Sequence, residues 1–298
     1  MVSVPNTMPE ILLNLRSHNT EIDSFSVLSD EVMLTIFKWL PKITLADCML
    51  VCKRWHRIAS DETFWQRLEL GNKDIATDAL GKILARKPII VRLAGSQVRR
   101  FSINSLIQYL DLSMCTIDMD TLNGLLEKCP SLKKLSLEFV NVNDTTTRLL
   151  GKLQSLNLSW CNLCSKSLQV LCDYLNPHLQ RLNIAVLSSL VSRCPRLLEL
   201  DISDCGRVND VTCLTDVTTL EHLALSRCYL LPPPALTKLN RMPSLQYLEV
   251  WGMLQSTSIT VLKKALPAIQ INQFMHSAIA RPTVGPRRTS IWGLRTRD

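Results

Sequence analysis

The stretch VCKRWHRIASDETFWQRLEL, residues 51–70, concentrates side chains that could do chemistry. Cys52 stands beside Lys53 and four residues before His56, a setting that would make a nucleophile of an exposed, activated thiolate. Lys53, Arg54, His56 and Arg57 interleaved with Trp55 and Trp65 also have the composition of a basic-aromatic surface for nucleic acid. Further on, Cys161-x2-Cys164-x7-Cys172-x5-His178 has a spacing of the zinc type. A zinc centre needs four ligands converging tetrahedrally, and the fate of Cys161 decides that case. The nine glycines form no phosphate cradle, and the five histidines form no triad or metal pair. No catalytic, metal or cofactor site is therefore expected.

The elements that position these groups tell against bond chemistry. In FSVLSDEVMLTIFKWL, Ser29 is placed to cap a helix whose first turn carries Asp30 and Glu31 at its positive end. Val32, Ile36, Phe37 and Leu40 then make one apolar stripe, and Pro41 stops the helix. A second helix is expected from Thr44, with Val51, Trp55 and Ile58 at helical spacing and Lys53, Arg54, His56 and Arg57 on its solvated faces. Ser60 or Asp61 caps a third, carrying Phe64, Trp65 and Leu68. The tryptophans thus lie on packing stripes and Cys52 on a helix. A unit of roughly 45 residues cannot bury all that apolar surface alone, so part of it should meet a partner chain or the adjoining C-terminal segment.

That C-terminal segment is periodic. IQYLDLSMC (107–115), LQSLNLSWC (153–161), LLELDISDC (197–205) and LEHLALSRC (220–228) share one frame. LKKLSLEFV (132–140), LQRLNIAVL (179–187) and LQYLEVWGM (245–253) are less complete copies. The frame L-x-x-L-x-L-x-x-N/C is that of leucine-rich repeats. Its fourth and sixth residues alternate inward as in a short strand. Between strands, segments such as DTLNGLLEKCPSL space Leu122, Leu125 and Leu126 as a helix does. Units of this kind bury their faces only by stacking, which makes a solenoid. Cys115, Cys161, Cys205 and Cys228 recur five residues after a strand leucine, and Cys129 and Cys194 each precede a proline. Such phased cysteines read as small core hydrophobes, so Cys161 should point inward, away from any metal. The strand leucines at 110, 135, 156, 182, 200, 223 and 248 leave an interval of only 18 between Leu182 and Leu200. A complete unit takes about 20–29 residues.

Bulk properties agree with a protein of 298 residues that is 46% hydrophobic and carries a formal charge of +8. That balance suits an acidic or phosphorylated partner without requiring nucleic acid. Residues 1–24 show no secretory leader, and no segment has the apolar length of a membrane helix. Eleven cysteines are too few for a disulfide scaffold in a chain of this length, so free thiols in a reducing nuclear or cytosolic setting are expected.

VLSDEVMLTIFKWL…LADCMLVCKRWHRIASDETFWQRLEL resembles an F-box, and with the repeats behind it the chain resembles the F-box/leucine-rich-repeat family of ubiquitin-ligase substrate receptors. NLSWC, LALSRCYLLPPPAL, LKKALPAIQIN and AIARPTVGPRRTSIWGLR resemble the branch that reads phosphorylated cyclin-dependent-kinase inhibitors. The resemblance implies an α/β fold, with a three-helix F-box followed by a leucine-rich-repeat horseshoe of short parallel strands and outer helices. The expected boundaries are a disordered segment over 1–24, the F-box over 25–69, repeats over 70–270 and a tail over 271–298.

It also implies an S-phase kinase-associated adaptor, and through it cullin and RING subunits, bound by Leu28, Val32, Met33, Ile36, Phe37, Leu40, Val51 and Trp55. A cyclin-dependent-kinase regulatory subunit and phosphorylated substrates would meet Trp160, Asp204, Arg227, Tyr229 and Trp251 on the concave face. Arg227 is there the residue suited to a substrate carboxylate. The chain departs from the family at Ser29, where proline is usual, in LNIAVLSSL, where a contact arginine is lost, and before Leu156, where a repeat is missing. The tail, with Arg281, Arg287, Arg288, Arg295 and Arg297, reads from composition as disordered and from the resemblance as folded back to dock Ile291 and Trp292. Nuclear and cytoplasmic residence, no cofactor and no membrane or nucleic-acid partner complete the expectation. The alternatives are an adaptor-binding decoy with a defective array, and a basic nucleic-acid-binding protein.

Overall fold

The computed structural model describes residues 24–74, 77–99, 106–161, 163, 165–184, 194–205 and 208–280. The chain divides into two compact units between Asp61 and Glu62.

The first unit is helical. Helix α1 (Asp30–Phe37) starts where expected, with the Ser29 hydroxyl accepting the Val32 N–H at 3.4 Å and Asp30 and Glu31 in its first turn. It ends at Phe37, before Pro41, and Pro41 instead precedes α2 (Lys42–Val51). The second helix expected from Thr44 is two helices. Cys52 takes an extended backbone, its Sγ accepts the Trp55 N–H at 3.4 Å, and α3 (Lys53–Ala59) begins there. The core is Met33, Phe37, Leu45, Cys48, Met49, Ile58 and Ala59. The apolar stripe of α1 is accordingly split, because Met33 and Phe37 turn inward while Val32 and Ile36 are exposed. Residues one position apart on a helix point about 100° apart, so a unit this small buries one of those columns and leaves the other to solvent. The basic residues are more than a solvated face. Arg54 and Arg57 pair with Asp30, and Arg54 also donates to the carbonyls of Phe25 and Leu28.

The second unit is a solenoid. After α4 (Glu62–Trp65) come β1 (Arg67–Glu69), α5 (Thr77–Leu84), β2 (Ile90–Arg92), β3 (Gln97–Val98), β4 (Tyr109–Asp111), β5 (Thr116–Ile117), α6 (Met119–Glu127) and β6 (Lys134–Ser136). Next along the chain are α7 (Asp144–Leu149), β7 (Ser155–Asn157), α8 (Ser165–Tyr174), β8 (Arg181–Asn183), β9 (Glu199–Asp201), β10 (His222–Ala224), α9 (Pro233–Thr237), β11 (Tyr247–Glu249), α10 (Ser256–Ala265) and β12 (Gln270–Ile271). Among the described residues the main sheet has ten parallel strands in the order β1-β2-β4-β6-β7-β8-β9-β10-β11-β12, and β3 pairs with β5 beside it. One register runs through the main sheet: Leu68, Val91, Leu110, Leu135, Leu156, Leu182, Leu200, Leu223, Leu248 and Ile271 are successive partners.

All seven leucines of the sequence frame are strand centres. The sheet also takes in β1, which pairs with β2. The β8 and β9 strands pair directly across the short interval, and residues 185–193 of that interval lie outside the described residues. The leucine side of the sheet packs on helix residues such as Leu122, Leu125, Leu126 and Leu171 in one continuous core.

The phased cysteines belong to that core, and three of them add a hydrogen bond. Cys115 donates its S–H to the Leu93 carbonyl at 2.9 Å, Cys161 to Leu137 at 3.1 Å and Cys228 to Ile202 at 3.2 Å, one repeat back. Burial pushes the Cys115 and Cys161 thiols up to about 12 and those of Cys194 and Cys228 up to about 11. Cys161, its S–H committed to the Leu137 carbonyl and packed against the core, faces inward as the repeat frame predicts, and Cys164 of the zinc-like run lies outside the described residues.

Candidate functional sites

In the helical unit the structure separates the expected contact residues by depth. Val32 and Ile36, one turn apart on α1, are exposed, and Val51 at the end of α2 is 63% exposed. Leu28, Leu40 and Trp55 are half-buried. Met33 and Phe37 are 0% and 2% exposed and hold the helix from beneath. Trp55 supports the same layer, its ring edge-on to Phe37 at 5.2 Å and to Phe25 at 5.1 Å. The sequence reading missed Trp39, Ile43 and Leu50, all exposed, the last at 85%. Their signal was available: each is a large apolar residue that fits no buried stripe. Much large apolar surface is thus left uncovered on one small unit.

In the solenoid, the recurring local structure places the expected residues. The strand-final Asp111, Asn157 and Asp201 each accept, through Oδ1, the N–H two residues on. This side-chain turn ends the strand and brings the next residue but two into the left-handed region. Met114, Phe139, Trp160, Asp204 and Arg227 share that position, with φ between 56° and 62°, and Gly95 and Gly252 fill it in other repeats. Trp160, Asp204 and Arg227 are thus equivalent sites projected from the turns after β7, β9 and β10. Trp160 is 55% exposed and stacks flat on Phe139, with centroids 5.3 Å apart and planes 6° apart.

The Arg227 guanidinium makes a two-point pair with Asp204 of the preceding repeat. Gly252 leaves it room, since a Cβ there would lie 3.2 Å from the Arg227 Cγ. Tyr229 is exposed two residues beyond. Trp251 is anchored, donating Nε1–H to Glu249 at 3.0 Å and to the Phe274 carbonyl at 2.6 Å.

The beginning of the tail does fold back. Residues 273–280 run from β12 across the polar face of the sheet as a strap, while Ile291 and Trp292 lie outside the described residues. Phe274 N–H donates to Glu249 at 2.9 Å, and its ring packs against Tyr247 and His222. Ser277 donates its hydroxyl to Asp201 at 2.5 Å, Ile279 N–H donates to Glu199 at 3.1 Å, and Asn157 Nδ2 donates to the Ile279 carbonyl at 3.3 Å. Beside the strap opens a cavity of about 150 Å³ whose walls include Glu138, Trp160, Asp204, Arg227, Met275 and His276. It gathers three of the expected residues and leaves out Tyr229 and Trp251. Glu138 was not foreseen. It stands one residue before the stacked Phe139, on a strand end whose own sequence gives no sign of a pocket.

The two units match different families. Residues 28–70 match the F-box-like family, and residues 147–298 match the family described as SKP2 LRR domain. A lysine-specific demethylase 2A from Xenopus tropicalis is 31% identical over 251 residues, which cover 79% of this chain and 21% of that protein. The chain therefore spans about a fifth of the length of that curated relative. Among solved structures, LegL7 from Legionella pneumophila, a leucine-rich-repeat protein, aligns with a TM-score of 0.43 and 15% identity over 66% of this chain and 69% of that one. The Leptospira interrogans leucine-rich-repeat protein LIC12759 aligns with a TM-score of 0.37 and 17% identity over 70% and 73%.

Proposed function

The chain belongs to the F-box/leucine-rich-repeat family, with repeats of the SKP2 type, and from that premise we propose that it is the substrate receptor of an SCF-type cullin-RING ubiquitin ligase. The helical unit binds a Skp1-type adaptor, and with it the cullin and RING subunits. The solenoid presents phosphorylated cell-cycle proteins of the cyclin-dependent-kinase-inhibitor type, together with a cyclin-dependent-kinase regulatory subunit, in the nucleus and cytoplasm. Such receptors are generally non-catalytic. They act by holding a substrate lysine beside a charged conjugating enzyme, which raises the effective concentration of the reacting groups.

The observation that carries this reading is the layered helical unit. Met33, Phe37 and Trp55 form a packed layer, and Val32, Ile36, Ile43, Leu50 and Val51 are left uncovered around it. The engagement of Arg54 and Arg57 by Asp30 favours a protein partner over nucleic acid, since the Asp30 carboxylate offsets one of the two positive charges and ties both guanidinium groups to the helical unit itself.

The test is co-purification of the full chain with a Skp1-type adaptor. Val51→Asp places a charge on the exposed face and is expected to abolish the complex without moving the melting temperature of the free chain. Phe37→Ala empties the core and is expected to cost about 3–5 kcal/mol of the unit's stability, losing the complex by unfolding. Full binding by Val51→Asp would move the adaptor site elsewhere. Failure of the wild-type chain to bind at micromolar concentration would sink the proposal.

A further inference from the structure

Four carboxylates wall the cavity beside the strap, and three are accounted for. Asp201 accepts from Ser277 and from the Ser203 N–H. Asp204 is taken by Arg227. Glu249 accepts from Phe274 N–H and Trp251 Nε1–H, with His222 at 3.9 Å. Glu138 has no cation and no side-chain hydrogen-bond donor among the described residues. The nearby Asp111 adds a like charge, and burial followed by that repulsion pushes the Glu138 carboxyl up to about 7. On the same wall Trp160, stacked on Phe139, offers an exposed electron-rich face. A half-buried carboxylate lacking a counter-charge beside an open indole is a setting that a desolvated cation stabilises twice, by charge and through the ring. The volume of about 150 Å³ holds one side-chain head group, whereas pockets for drug-sized molecules run to about 300–1,000 Å³.

We propose that this cavity receives a cationic side chain, an arginine, from a protein bound on the polar face, held between the Glu138 carboxylate and the Trp160 ring. Arginine fits better than lysine, since its planar guanidinium can lie on the indole while its edge donates to a carboxylate. This deepens the receptor reading by naming one chemical feature of the partner, and it rests on the solenoid being the substrate-facing unit. Its test does not involve the helical unit, so loss of adaptor binding and loss of this site are distinguishable outcomes.

The groups that face the cavity are Glu138, with the buried Asp111 acting on it from β4, Asp201, Asp204, Arg227 and Glu249 from β9–β11, and His276 from the strap. A cation binds the deprotonated form of Glu138, so affinity is expected to rise roughly tenfold between pH 6 and pH 8 for a carboxyl titrating near 7. His276 shares the cavity wall, which makes its own variant necessary.

The probe is the tripeptide N-acetyl-Gly-Arg-Gly-amide, titrated into the full chain and followed by ligand-observed NMR. The same peptide with citrulline, a neutral isostere, is the control. Expected are binding of the arginine peptide with no binding of the citrulline peptide, and at least a tenfold loss with a flat pH profile in Glu138→Gln. Trp160→Ala should lose about fivefold, and His276→Gln should keep most of the pH dependence. Equal binding of the two peptides, wild-type affinity in Glu138→Gln, or no arginine binding at pH 8 would each overturn the proposal. A cooperative urea-unfolding transition of the Glu138→Gln chain confirms independently that it is folded.

Discussion

The same Glu138 that would hold a partner's cation weakens the free protein. Its folded-state value of about 7 lies above the ordinary 4.5. Between those values the folded chain holds the proton that the unfolded chain has released, so stability is full below about 4.5 and falls as pH rises through 7. At 1.36 kcal/mol per unit the difference would be about 3 kcal/mol, and solvent reaching a half-buried group reduces it to about 1–2 kcal/mol. Glu138→Gln should therefore be about 1–2 kcal/mol more stable than wild type at pH 8 in urea unfolding, with no difference at pH 4. A residue that weakens the free protein and sits in a cavity is more readily explained by binding than by folding. At this scale the sequence was partly legible. Exposed Trp160 follows from its repeat position, but the occupation of Arg227 by Asp204 does not. The two are 23 residues apart and adjoin only because one repeat stacks on the next.

At the scale of elements, legibility followed periodicity. The leucine frame located β4 and β6 to β11 because each such strand alternates and recurs. It passed over β1, β2 and β12, whose frames RLEL, IVRL and IQIN lack the opening leucine. The break at Cys52 was hidden for the opposite reason. No proline or glycine marks it, and the cap is a thiol, an acceptor that capping statistics rank nowhere. The turn after each strand is the element that sets the geometry of the polar face, and it carries a strain that can be measured. A non-glycine residue in the left-handed region costs about 1–2 kcal/mol, of which the greater freedom of glycine in the unfolded chain returns a part. Met114, with φ of 56° and its side chain largely in solvent, should gain about 0.5 kcal/mol on replacement by glycine. Gly252→Ala at the equivalent site, with φ of 70° and Arg227 3.2 Å from the new Cβ, should lose about 1 kcal/mol or more. A gain at Met114 together with a loss at Gly252 in thermal unfolding would identify backbone conformation as the cause. A loss at both sites would mean that the Met114 side chain contributes packing its exposure does not show.

For the molecule as a whole, the strap is the feature that only the family resemblance pointed to, because its bonds close over 76 to 122 residues and no local pattern records them. It differs from the repeats in kind. A solenoid gains its stability from nearest neighbours, whereas residues 273–280 span from β11 to β7 and tie non-adjacent repeats together. Its central bond joins Ser277, fully buried, to Asp201, 2% exposed. Removing the hydroxyl leaves that buried carboxylate with one donor fewer, a loss of about 1–3 kcal/mol. The leucine core lies on the other side of the sheet and is untouched. Ser277→Ala should thus release the strap without melting the repeats. Limited proteolysis should cut at the exposed Met275–His276 segment several times faster, while the far-UV circular dichroism of the chain is retained. An unchanged rate of cutting would mean that the Phe274, Tyr247 and His222 rings hold the strap by themselves. The cavity wall built from Met275 and His276 would then be fixed by aromatic packing, and Phe274→Ala would be the variant that opens it.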